Sequence, residues 1–202
     1  MTIVLYEFPP TRSDRVRWTL LELGLPFESV CGQHLFGSAE LKAVSPLGKL
    51  PGLIDDGRPL FESAAICTWL ADSHPEKGLV APSGSWERAL HDQWVSFCLA
   101  EIEAHLWSTA RNSFLYPEKD RLTDVLAQNG MEGRKSLKVL DDHLATTPYL
   151  VGGRFTVADI VMGYATNWAR AIGWTDGLEH VPEYNARLLA RPHCPLPKGE
   201  IG

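Results

Sequence analysis

The chain has 202 residues, 45% of them hydrophobic and 22% charged, which is enough to bury a core in one large domain or two small ones. Nineteen basic against 25 acidic residues give a formal charge of −6 with no run of lysine and arginine, which argues against nucleic acid as a partner. The opening MTIVLYEF has no signal-peptide pattern, no apolar run is long enough to cross a membrane, and the four cysteines show neither CxxC nor metal-ligand spacing; the expectation is a cytoplasmic protein with free thiols, no metal and no membrane partner.

Ile3 to Tyr6 is a short apolar strand ended by Pro9-Pro10. Val16, Leu20 and Leu23 then fall at helical spacing, with Gly24 as the C-terminal cap, and Phe27 to Cys31 reads as a second strand. Strand, helix and strand within about thirty residues form a βαβ unit with parallel pairing. A short helix from Ser38 to Val44 leads into the stretch SPLGKLPGLIDDGRPLFES, residues 45–63. Within it Leu53-Ile54 and Leu60-Phe61 flank Asp55-Asp56-Gly57, a tight-hairpin signal, and Pro51 stands at a strand start, where a missing amide does no harm. An X-Pro bond goes cis at low cost, and a cis bond here would turn the carbonyl and amide of Leu50 outward, able to pair with an extended peptide. Ser63 opens the next helix, to Asp72, where free amides favour an anion; an ordinary hairpin followed by a capping serine accounts for the same residues.

Residues 75–85, PEKGLVAPSGS, read as a linker, after which strand signals stop. Leu90, Trp94, Phe97, Cys98, Ile102 and Leu106 keep a helical period that Tyr116-Pro117 closes, and a second helical stretch runs from about Asp120 to Leu144 with a weak point at Asn129-Gly130. Thr156 with Asp159 spells a capping box, framed by Phe155 and Ile160 as a hydrophobic staple, for a helix through Ile172; Asp159 is read as structural. A last helix covers Pro182 to Ala190, before a short proline-rich tail.

This order resembles the glutathione S-transferase family: a Leu50-Pro51 pair, a Glu62-Ser63 pair opening the next helix, and the glycine, threonine and aspartate of the later capping box. The resemblance implies an α/β thioredoxin-like N-terminal domain (1–76), a linker (77–85) and an all-α C-terminal helical domain (86–202), assembled as a homodimer. It also implies that Leu50, with Pro51 setting the geometry, pairs with the cysteinyl part of glutathione, that Glu62 and Ser63 hold the γ-glutamyl part, and that Lys49 reaches the glycyl carboxylate. Lys49 as a solvated loop lysine is the plainer alternative, and Gln33 and His34 are weaker candidates nearby.

The family's thiolate-activating residue falls between the first strand and first helix, EFPPTRSD here, and its usual place lands on Pro10, which has no chemistry to offer a thiol. The hydroxyls that remain are, in order, Thr11, Tyr6 and Ser13. Thr11 with Asp14 also reads as a capping box, Tyr6 as a strand core residue and Ser13 as a first-turn residue. Without a cysteine at this turn, and with Cys31 and Cys67 read as buried packing residues, disulfide exchange by an enzyme thiol is disfavoured. In the helical half Trp107, Arg111, Phe114 and Tyr116 are candidates for a second-substrate wall, an apolar surface with one cation, although aromatic stripes at this spacing also pack cores. The expected activity is conjugation of glutathione to a small apolar electrophile, a detoxification chemistry. The alternatives are a non-catalytic binding or assembly relative, and a glutathione-dependent isomerase or peroxidase.

Overall fold

In the computed structural model, which describes residues 2–198, the chain divides into two units. The first holds β1 (Ile3–Glu7), α1 (Ser13–Leu23), β2 (Glu28–Cys31), α2 (Ala39–Val44), β3 (Gly52–Asp55), β4 (Arg58–Phe61) and α3 (Ser63–Asp72). This is the β-α-β-α-β-β-α order expected of a thioredoxin-like domain. The sheet runs β2-β1-β3-β4, with β1 parallel to β2 and β3 antiparallel to both its neighbours.

Alternation along β1 sends successive side chains to opposite faces. Tyr6 packs with Leu35, Leu41, Val44 and Leu50 on the side of α2, joined by Val4 and Ile54. Ile3, Leu5 and Glu7 point the other way, toward α1, which packs on α3 through buried Val16, Leu20, Leu23, Ile66 and Leu70. Gly24 caps α1 in the left-handed conformation, and Asp56-Gly57, with φ of 47° and 79°, make the two-residue turn between β3 and β4. Gly52 opens β3 where a Cβ would meet Val44 at 2.9 Å, so a bare backbone is needed beside α2.

Leu79, Val80 and Ala81 are buried, and the first unit extends to residue 85 rather than ending at 76. The helical domain is likewise shorter than 86–202: residues 191–198 return to the first unit, and 199–202 lie outside the described residues. The physical reason is charge pairing. Arg191 donates from Nε and Nη2 to the Glu22 carboxylate at 2.8 Å each, and Trp18 Nε1 donates to the same group at 2.9 Å. Burial raises the Glu22 pKa, but the bonds from Arg191 and Trp18 outweigh it and hold the group below its ordinary value. Cys31 is also corrected: it is exposed at the end of edge strand β2, whereas Cys67 is fully buried and its thiol is pushed up to about 12 by desolvation.

The second unit comprises α4 (Trp86–Phe97), α5 (Ala104–Ala110), α6 (Val125–Leu144), α7 (Val157–Ala171) and α8 (His180–Leu189). The long helix foreseen from residue 86 to 116 is interrupted by two π-helical turns, Cys98–Glu103 and Arg111–Leu115. The second helical stretch begins at Val125, not Asp120, and passes unbroken through Asn129-Gly130. Gly133 is required by a neighbour: a Cβ there would lie 2.3 Å from the Trp174 ring. The last helix starts two residues earlier than expected because the Asp141 carboxylate on α6 accepts from the His180 and Val181 amides at 2.8 and 2.9 Å, capping α8 from across the bundle.

The capping box at α7 is present. One Asp159 oxygen accepts from the Thr156 amide at 2.8 Å, and the other from the Leu150 amide at 3.0 Å and the Tyr184 hydroxyl at 2.9 Å. Asp159 is a junction of three segments, its pKa raised to about 6 by desolvation against these bonds. Gly133→Ala is expected to cost about 1–3 kcal/mol, because Trp174 cannot retreat without vacating its buried site. A thermal melt should show a fall of several degrees, and an unchanged midpoint would refute the close packing of α6 on Trp174.

Candidate functional site

Strand register gathers the site. Glu7 at the end of β1 is level with Cys31 at the end of β2, and Gly52 at the start of β3 is level with both Tyr6 and Phe61. The chain therefore enters or leaves all four strands at one end of the sheet. There it places the 8–12 loop, Gln33 and His34, the Lys49-Leu50-Pro51 corner and Glu62-Ser63. Both histidine and glutamine are exposed in a short 3-10 turn.

The Leu50-Pro51 peptide is cis, as is Pro9-Pro10. Leu50 buries its side chain in the α2 cluster and stands outside the ladder, which starts at Gly52, while Lys49 beside it is exposed. Glu62 precedes α3 at φ 71°, a left-handed conformation that a non-glycine residue rarely adopts and that costs on the order of 1–3 kcal/mol. Its carbonyl nonetheless accepts the Ile66 amide at 2.9 Å, so the helix begins there, and its side chain is exposed and caps nothing. Ser63 is buried in the first turn of α3, and Arg15 Nη1 donates to its Oγ at 3.2 Å. The buried cation and the free amides of the helix make this corner electropositive. Arg15 escapes a reading of the sequence because it stands beside the apolar Val16 on a helix expected to have a solvated side. In the fold Ser13 through Val16 are all buried.

The three hydroxyls of the first loop differ sharply. Tyr6 is enclosed in the α2 cluster, and burial followed by the facing Glu40 carboxylate raises its pKa. Ser13 is wholly buried: its Oγ accepts from the Phe8 amide at 3.1 Å and donates to the Phe8 carbonyl at 3.3 Å, stapling the loop. Thr11 is partly exposed, its Oγ1 2.8 Å from Ser13 Oγ and accepting from the Ser13 amide at 3.2 Å. The Thr11–Asp14 capping box is corrected. Arg12 occupies the N-cap position without a side-chain cap, and Asp14 turns inward instead of reaching back.

Asp14 is buried with neither oxygen hydrogen-bonded. Desolvation first, then the buried Glu7 carboxylate, push its pKa to about 7, with Arg17 opposing. The Glu7 carboxylate is paired with Arg17, whose Nε donates to it at 2.7 Å, and also accepts from the Ser29 hydroxyl. Cys67 lies in the interior, and no group of three or more His, Cys, Asp or Glu among the described residues is arranged to hold a metal. No helix among them is long and apolar enough to cross a membrane.

In the second unit Arg111 lies between two rings, 5.9 Å from the Trp107 centroid and 5.8 Å from that of Tyr116, with Phe114 exposed beside them. Three of the four residues picked from this stretch thus touch one another, as a cation between two rings.

The family model described as glutathione S-transferase, N-terminal domain, matches residues 5–78, and that described as glutathione S-transferase, C-terminal domain, matches 123–190. The chain belongs to the glutathione S-transferase family. Glutathione S-transferase GstA of Escherichia coli O157:H7 is 34% identical over 180 residues, covering 86% of each chain. The crystal structure of a glutathione transferase from Methylococcus capsulatus superposes with a TM-score of 0.84 at 30% identity, over 96% of this chain and 95% of that one. A probable elongation factor 1-gamma 2 of Arabidopsis thaliana is 30% identical over 166 residues, covering 77% of this chain but 38% of the elongation factor.

Asp14 carries a prediction for the stability of this family member. Its folded pKa lies above the unfolded value, so its contribution is fully present below about pH 4 and is lost as pH rises through about 7. A displacement from 3.8 to about 7 corresponds to at most on the order of 4 kcal/mol. Asp14→Asn should therefore gain melting temperature over the parent at pH 8 and much less at pH 5. A gap that does not widen with pH would show that Asp14 is not held neutral.

Proposed function

We propose that the protein is a glutathione transferase that conjugates the glutathione thiolate to a small electrophile. The observation that carries this reading is Ser63, buried at the first turn of α3 with Arg15 behind it, at the sheet end that also holds Leu50 and Thr11. The γ-glutamyl carboxylate is received by the α3 amides and the Ser63 hydroxyl, with the Glu62 carboxylate facing the γ-glutamyl ammonium. The cysteinyl backbone pairs with the Leu50 amide and carbonyl, Lys49 reaches the glycyl carboxylate, and the sulfur comes to rest beside the N-terminus of α1.

Thr11 is the thiolate's partner in this scheme. Its partial exposure supports the choice over Tyr6, which is enclosed, and Ser13, whose hydroxyl is engaged by both backbone groups of Phe8. Rotating the Thr11 hydrogen from Ser13 Oγ to the sulfur leaves Ser13 bonded and gives the thiolate a donor, which favours the charged form of the thiol. The thiolate then attacks the electrophilic carbon, forming a carbon–sulfur bond as the leaving group departs with its electron pair. The family context supports a cytoplasmic homodimer acting in detoxification.

A second reading, a non-catalytic assembly module, is favoured by Pro10 at the place of the family's catalytic residue and by the elongation factor 1-gamma likeness. Calorimetric titration with glutathione separates the two. On the transferase reading the parent binds, Ser63→Ala weakens binding at least tenfold, and Thr11→Ala lowers turnover of an aromatic halide by about 10²-fold while Tyr6→Phe leaves most of it. A parent that binds no glutathione would sink the transferase reading and leave the module.

A further inference from the structure

Among the described residues Asp14 is 1% exposed, and both of its carboxyl oxygens are enclosed without a hydrogen bond. Leaving a buried carboxyl unmatched costs free energy that an apolar residue in the same turn would not, so the stability of the fold gives no reason for an acid here. Its place in the chain gives one. The Asp14 amide donates to the Thr11 carbonyl at 3.0 Å, and the Ser13 amide donates to the Thr11 hydroxyl at 3.2 Å. The carboxyl belongs to the same hydrogen-bonded turn as the hydroxyl that the transferase reading sets against the glutathione sulfur.

The charges around this turn come from four elements. On β1 the Glu7 carboxylate opposes ionisation of Asp14; on α1 Arg17 favours it, but Arg17 is paired with Glu7. Cys31 at the end of β2 interacts with Arg17. Toward α3, Arg15 is turned to Ser63, and the Cys67 thiol that feels Arg15 is pushed up to about 12 and stays protonated. None of these cations hydrogen-bonds Asp14, and desolvation keeps its carboxyl protonated until pH reaches about 7. A thiolate at the Thr11 turn would be a second negative charge in the same enclosed corner. Two such charges oppose each other, so ionising one group makes the other harder to ionise.

We infer that Asp14 is a positioning residue for the glutathione sulfur, acting through the Thr11 turn: the protonated carboxyl lets the turn receive a thiolate, the ionised carboxyl repels it, and a bound thiolate holds the Asp14 proton in place. The inference rests on the transferase reading for the place of the sulfur. On binding, the thiol proton passes to buffer while Asp14 keeps its own, or takes one up from buffer where the free protein has lost it. The coupling is reciprocal, so it can be read from either partner.

The test compares calorimetric affinities for glutathione and for S-methylglutathione, whose thioether cannot ionise, in the parent and in Asp14→Asn at about pH 5.5 and about pH 8.5. The ratio of the two affinities, glutathione over its thioether, should be the same in both proteins at the lower pH, where residue 14 is neutral in each. At the higher pH it should be at least about threefold larger in Asp14→Asn. A merely structural role would move both ligands together and leave the ratio alone. Cys31→Ser should keep the parent's ratios, and a rise there matching that of Asp14→Asn would overturn the assignment to Asp14. In the parent itself, the Asp14 carboxyl followed by carbon NMR should titrate at higher pH with glutathione bound than with S-methylglutathione bound. A ratio that Asp14→Asn leaves unmoved at the higher pH, or a carboxyl that titrates alike in the two complexes, would overturn the inference while the transferase reading stands. A parent that binds neither ligand would fail that reading, and this inference with it.

Discussion

Because β3 lies between β1 and β4 and runs against both, its first residue, Gly52, must sit level with their last turns, Tyr6 and Phe61. The parallel β1–β2 pair then brings the end of β2 to the same edge. Every loop with ligand-binding chemistry in the first unit follows from that geometry. Side chains on both faces enforce the register: a slip of one residue would drive Glu7 into the apolar α2 cluster and pull Tyr6 toward Arg17, exchanging an ion pair for an unpaired buried charge.

The sheet end is also where buried charge concentrates. Glu7 is neutralised by Arg17, Arg15 is turned to Ser63, and Asp14 is left without a hydrogen bond between them. An isolated buried carboxylate avoids the cost of ionisation by keeping its proton, which is why Asp14 is displaced toward neutrality. The consequence for chemistry is local. While Asp14 keeps its proton, the first turn of α1 adds no negative charge to oppose an anion at the Thr11 loop, and that condition fades as pH rises through about 7.

The helical unit solves a different problem, that of helix ends buried inside a bundle. Asp141 supplies its carboxylate to the first amides of α8, some forty residues away, whereas Asp159 caps its own helix at Thr156 and also takes the Leu150 amide and the Tyr184 hydroxyl. Thr166 and Asn185 tie α7 to α8 through a further pair of bonds at 2.6 and 3.1 Å. These polar contacts fix how the helices meet, where apolar packing alone would tolerate sliding.

Local chemistry determined a great deal by itself. The Asp56-Gly57 turn, the Gly24 cap, the Thr156–Asp159 box and the helix from Ser63 to Asp72 depend on a few adjacent residues, so they could be read from the chain and match the fold. Gly133 in the middle of α6, by contrast, has no reason visible in the chain, and only the Trp174 ring, some forty residues on, shows why a side chain is missing there. The tail's return to the first unit rests on Arg191 meeting Glu22, the inward turn of Asp14 on its neighbours across α1 and β1, and the role of Arg15 on a serine 48 residues away. None of these leaves a periodic or turn signal, because each is an electrostatic or steric match between segments whose proximity only the folded chain creates. The choice among Thr11, Tyr6 and Ser13 belongs to the same class: all three carry a hydroxyl, and burial and hydrogen bonding, properties of the assembled domain, distinguish them.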